Sequence, residues 1–88
     1  MRYDIVPSLQ KKLSKLSKRD KALYFQVLKK IEEVISSSDV EHYKNLQHNM
    51  KDKKRVHISH FVLVFRFIKI ESKIVFDDFD HHDNIYKQ

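Results

Sequence analysis

Residues 61–70, "FVLVFRFIKI", restrict the fold more than any other stretch of this chain. The run is apolar on both sides of a period-two repeat, is rich in β-branched and aromatic residues, and has Arg66 as its internal charge. Such a strand must be covered on both faces, so it belongs in the interior of a sheet rather than at a wet edge. The rest of the chain must therefore provide neighbouring strands and a covering layer.

The strands are legible on either side of it. In residues 54–58, Val56 and Ile58 alternate with Arg55 and His57, which puts the basic pair on the face opposite the apolar one. Ser59-His60 reads as the turn into the central strand, and "ESK" (71–73) as the turn out of it. "IVFDDF" (74–79) is the last strand, its alternation degrading at Asp77-Asp78, and "RYDIV" (2–6) is a short first strand stopped by Pro7.

Helical periodicity fills the gap between them. Ser8 is placed to cap a helix whose Leu9, Leu13 and Leu16 form one stripe while Lys11, Lys12, Lys15 and Lys18 face water. After a break at 17–20, Tyr24, Val27, Leu28, Ile31, Val34 and Ile35 repeat the pattern from Lys21 up to Ser36. The short connection predicts an antiparallel helical hairpin. Residues 39–53 carry two histidines and Leu46 as their core candidate, and read as a loop with at most one helical turn. The expectation is a single α+β domain over 1–88, ordered β-α-α-β-β-β, with the hairpin packed on one face of a mostly antiparallel twisted sheet. The other face, with Arg55, His57, Arg66 and the C-terminal segment on or beside it, is where a site is expected.

Composition removes several function classes. The chain has no cysteine, so disulfides, cysteine-based zinc sites and thiol redox chemistry are excluded. With no glycine, left-handed turn positions are expected to fall on Asn or Asp. There is neither a signal-peptide pattern nor an apolar run of membrane-span length, so the expected location is cytoplasmic, with no membrane partner. A net charge of +6 with neutral histidines favours polyanionic partners.

Residues 79–86, "FDHHDNIY", are the densest group of chemistry-bearing side chains. Adjacent side chains on an extended chain diverge, so His81 and His82 are poorly placed to share a metal ion, and no known ligand spacing such as HExxH is present. Metal-free phosphodiester cleavage needs a base, an acid and fixed cations, and His, Tyr and Arg supply these near neutral pH. The bland reading is a solvated tail whose tyrosine covers the core edge.

The element order, the "KRVHI" strand, the "HFVLVFRF" strand and the closing "HHDNIY" together resemble the RelE/ParE superfamily of prokaryotic toxin–antitoxin toxins, RelE branch. The resemblance implies a microbial-ribonuclease-type fold and cleavage of mRNA in the ribosomal A site by 2′-hydroxyl attack, without metal or cofactor. It also implies a RelB-type antitoxin that neutralises the toxin, and ribosome and mRNA as targets, with helix lysines on ribosomal RNA. The family's basic strand positions fall on Arg55 and His57, and its closing motif on His81 to Tyr86, with His82 in place of the usual arginine. Its phosphate-binding arginine falls on Val62, leaving Lys54, His60 or Arg66 to stand in for it, although Arg66 is four residues, roughly 13 Å, further along. On this resemblance, His57 or Tyr86 assists deprotonation, His82 or His81 protonates the leaving oxygen, and Lys54, Arg55 and Arg66 hold phosphate. The alternatives are a ParE-like gyrase inhibitor without nuclease activity, or a degenerate toxin acting only as an antitoxin partner.

Overall fold

The computed structural model describes residues 1–47 and 52–86. Strands β1 (Arg2–Ile5), β2 (Lys53–Ile58), β3 (Phe61–Ile68) and β4 (Lys73–His81) form one sheet in the order β1-β4-β3-β2. β1 runs parallel to β4, and the other pairs are antiparallel. The doubly apolar strand is interior, as its composition requires, with Leu63 and Phe65 buried on one face and Val62 and Val64 on the other. It ends at Ile68 rather than Ile70, because Lys69–Glu71 turns into a 3₁₀ helix that leaves Ile70 95% exposed.

Neither tight turn uses Asn or Asp. Ser59 (φ 56°) and Ser72 (φ 49°) take the left-handed positions, correcting the expectation. The steric cost for an L-residue there is about 1–2 kcal/mol. Each serine sits in a connection flanked by paired strands, whose ladders offset that cost.

Helices α1 (Pro7–Arg19) and α2 (Lys21–Ile35) lie on one face of the sheet. α1 starts one residue before the expected cap. Val6 is the N-cap, and Pro7 occupies the first helical turn, where its fixed φ suits the helix and its missing N–H is no loss. The break between the helices narrows to Asp20, whose carboxylate accepts a 3.1 Å hydrogen bond from the Leu23 N–H. Asp20→Ala should therefore destabilise the protein by about 0.5–2 kcal/mol, read as a shift in the denaturation midpoint; no shift would remove Asp20 as the determinant of the corner.

Leu9, Leu13, Val27, Ile31 and Val34 from the helices pack on Leu63, Phe65, Ile74, Phe76 and Phe79 from the sheet. Val40 is also buried, in a 3₁₀ turn (Val40–His42) of the connecting loop, where Leu46 is only half-buried. A single valine outside any period gives no sequence signal. His48, the second loop histidine, lies outside the described residues.

β4 is longer than its pattern suggests, and the reason is a bulge. The register shifts between Val64/Phe65 and Asp78/Phe76, so Asp77 is the extra residue, and Phe76 and Phe79 both stay in the helix-side core. The doubled aspartates thus mark an irregularity within the strand, not its end. Beyond Phe76, β4 runs past the end of β1, and Lys12 of α1 reaches that edge, donating to the Phe79 carbonyl at 3.4 Å. After His81 the chain forms one helical turn, α3 (His82–Ile85), an element for which no helical pattern was read.

Candidate active site

On the sheet face opposite the helices, strand alternation and the α3 turn assemble a row of four side chains from distant parts of the sequence. Arg55 and His57 project two residues apart from β2, and the Arg55 Nη1 lies 3.2 Å from His57 Nδ1. The rings of His57 and His82 are 6.1 Å apart and 29° from parallel. His82 and Tyr86, four residues apart on the C-terminal turn, place their rings 4.8 Å apart. The floor is Val62, fully buried between its register partners His57 on β2 and Asp80 on β4.

The electrostatics of the row are directional. An arginine can only donate, so His57 Nδ1 accepts, and the neutral ring carries its proton on Nε2. Desolvation lowers the His57 pKa below its ordinary 6.5, and the charges of Arg55 and His82 lower it further. His57 is thus kept in its unprotonated form beside a fixed cation. Arg55 Nε is buried and has no hydrogen-bond partner among the described residues, an unmet donor beside the row.

The remaining candidates separate from this cluster. His81 and His82 meet different rings, although the Nδ1 of each also lies near an oxygen of Asp83, at 3.7 and 3.4 Å. His81 pairs with His60 at 6.3 Å and with the edge of Phe61, and its Nδ1 accepts from the Asp83 N–H as the cap of α3. Lys54 projects to the helix side, where its ammonium donates to the carbonyls of Glu41 and Tyr43 at 3.2 and 3.0 Å. It anchors the loop and is not part of the row. Arg66 is held by Asp77 through two hydrogen bonds of 2.7 and 2.9 Å, with Asp77 only 16% exposed. That hydrogen bonding raises the Arg66 pKa, and the guanidinium is already matched to a carboxylate. Of the four cations and histidines expected around the phosphate, Arg55 alone sits in the row.

Sequence reasoning missed Lys53, which strand alternation with Arg55 and His57 puts on the same outer face. It borders a cavity of about 350 Å³ together with Val64, Asp80 and Ile85. Counting back two from Arg55 would have found it. Among the described residues, no three His, Asp or Glu side chains are grouped so as to hold a metal ion.

Known proteins match both sequence and fold. No family model matches the chain. A protein of Methanocaldococcus jannaschii named "Putative toxin RelE4" is 54% identical over 86 residues, covering 97% of this chain and 89% of the relative. An uncharacterized protein of Methanosarcina mazei is 40% identical, covering 89% of this chain and 90% of the relative. Among solved structures, the isolated E. coli RelE toxin superposes with a TM-score of 0.74 at 22% identity, covering 91% of this chain and 82% of that one. An E. coli RelE mutant in complex with an antitoxin RelBc peptide gives 0.72 at 21% identity, covering 98% and 90%. The solved structures share the α+β fold of helices on a four-stranded mixed sheet, and the archaeal sequence match carries the kinship: this chain belongs to the RelE family of toxins.

Proposed function

We propose that this protein is the toxin of a toxin–antitoxin pair and cleaves mRNA in the ribosomal A site without a metal cofactor. The observation that carries this reading is the row Arg55–His57–His82–Tyr86, which combines a fixed cation, an unprotonated imidazole, a second imidazole and a phenol on one open face. A phosphate arriving at the row draws the Arg55 guanidinium to its oxygens and frees His57 Nδ1. His57 then takes the proton of the 2′-hydroxyl, the 2′-oxygen bonds to phosphorus, and the bond from phosphorus to the 5′-oxygen breaks. Protonated His82 gives its proton to that leaving oxygen. The products are a 2′,3′-cyclic phosphate and a 5′-hydroxyl end. Tyr86 orients His82 and offers a ring on which a base can stack.

Exposed Lys11, Lys15 and Lys18 of α1 are suited to ribosomal RNA, a role that needs only charge. The likeness to E. coli RelE bound to an antitoxin peptide supports a RelB-type antitoxin as the neutralising partner. The +6 charge and the exposed Phe25 and Leu28 of α2 suit an acidic, amphipathic chain.

The test is incubation of antitoxin-free protein with ribosomes programmed with a defined mRNA, followed by primer extension and analysis of the new ends. A-site cuts with cyclic-phosphate and 5′-hydroxyl ends are expected, slowed in His82→Ala and Tyr86→Phe with ribosome binding retained. Intact mRNA together with gyrase-dependent DNA breaks would replace this reading by gyrase inhibition. Buried Val62 favours one further reading, a toxin that has lost its activity and only binds antitoxin; intact mRNA and intact DNA with tight antitoxin binding would establish that.

A further inference from the structure

The four residues of α3 make one turn, too short to hold a helix by its own hydrogen bonds, yet this turn begins at His82 and leads directly into Tyr86. Its position must come from outside it. The His82 N–H donates to the His60 carbonyl at 2.8 Å, and Asn84 Nδ2 donates to Asp80 Oδ1 at 3.0 Å. The same Asp80 oxygen accepts from the His81 N–H at 2.7 Å, while Oδ2 takes Lys12 Nζ at 3.3 Å. Lys12 is itself held by Asp78 at 2.7 Å. A chain of contacts therefore runs from α1, across the open edge of β4, to the turn that carries half of the row.

We infer that Asp80 and Lys12 are positioning residues that, through Asn84, set His82 and Tyr86 against His57 and Arg55. This rests on the cleavage reading above. Burial alone would raise the Asp80 pKa and lower that of Lys12. The hydrogen bonds from Asn84, the His81 N–H and Lys12 outweigh it at Asp80, and those to Asp78 and Asp80 outweigh it at Lys12, so both groups stay charged at neutral pH. Side chains this exposed, 44% for Lys12 and 35% for Asp80, contribute little to global stability. Their effect is local: an acid displaced by about 1 Å from its leaving group can lose on the order of 100-fold in rate.

Two readouts separate this inference from the reading it rests on. On programmed ribosomes, Asp80→Asn and Asn84→Ala should lower kcat by about tenfold to 100-fold with KM nearly unchanged, and Lys12→Arg should retain the wild-type rate. Independently of any cleavage, NMR should show the contact between the His57 and His82 rings, 6.1 Å apart in the wild-type protein, lost in Asn84→Ala, with the His57 pKa rising slightly as the His82 charge, the last of its depressing causes, moves away. Wild-type kcat in both variants would overturn the inference while leaving the cleavage reading intact. If the wild-type protein cleaves nothing, the ring contact still decides: a retained His57–His82 contact in folded Asn84→Ala overturns the positioning role, and a lost one sustains it.

Discussion

His57→Ala should lower single-turnover cleavage on programmed ribosomes by about 10²–10⁴-fold, the range over which a positioned general base contributes. Ribosome binding should change little, because the proposed role of His57 is proton transfer and that of the helix lysines is charge. The pH profile gives a second check. With the His57 pKa depressed below 6.5, the acid limb of the wild-type rate should lie below that value, and cleavage should persist where a free histidine would already be protonated. Arg55→Ala should move that limb upward, since the guanidinium charge is one of the depressing causes after desolvation. It should also slow the reaction, because in the proposed mechanism Arg55 donates hydrogen bonds to the phosphate. A profile centred on 6.5 in both proteins, or full activity in His57→Ala, would assign the base elsewhere.

The same shift has a sign for stability. The unfolded chain binds a proton at His57 more readily than the folded one does. This contribution to stability is therefore complete above about 6.5 and is lost as pH falls through the lower, folded value.

Phe65→Ala should be the most damaging of the core truncations, costing about 3–5 kcal/mol. Phe65 is fully buried, meets the ring of Tyr43 edge-on at 5.5 Å and lies 5.9 Å from that of Phe76, so it joins the loop, the central strand and the neighbouring strand. A domain of this size has roughly 4–13 kcal/mol in total, so Phe65→Ala takes a large share of it. Phe65→Leu, which keeps most of the volume, should cost less than about 1.5 kcal/mol and keeps the comparison measurable if the alanine variant fails to fold. Urea midpoints at unchanged m-value report both. A cost below about 1 kcal/mol for Phe65→Ala would mean the core is not organised around this ring.

Part of the architecture was legible because it is local or periodic. The doubly apolar run had to be interior, the leucine stripe and the longer apolar stripe after it had to be helices, and Arg55 and His57 had to face away from Val56 and Ile58. These follow from side-chain direction alone, which is fixed by backbone period whatever the rest of the chain does. The resemblance to RelE toxins then joined these elements into a topology, and the 54% identical archaeal relative places the chain in that family.

Other features depended on contacts between residues far apart in sequence. Lys54 and Arg66 read as phosphate-binding residues because each is a cation on a strand near the expected site. Their actual partners, the carbonyls of a loop ten or more residues away and a carboxylate on the next strand, are set by cross-strand register and loop closure. The bulge at Asp77 is invisible to alternation because it is a break in alternation, and the register partner of Arg66 is Val75 rather than the carboxylate that holds it. Lys12 looked like one of four wet lysines, and only the early end of β1 gave it an edge to bind. Sequence alone thus determined which faces are apolar, that four strands and two long helices form, and which side chain types could perform proton transfer. Tertiary structure decided which of them meet, because a charged side chain is committed by the nearest partner in space, and period says nothing about who that partner is.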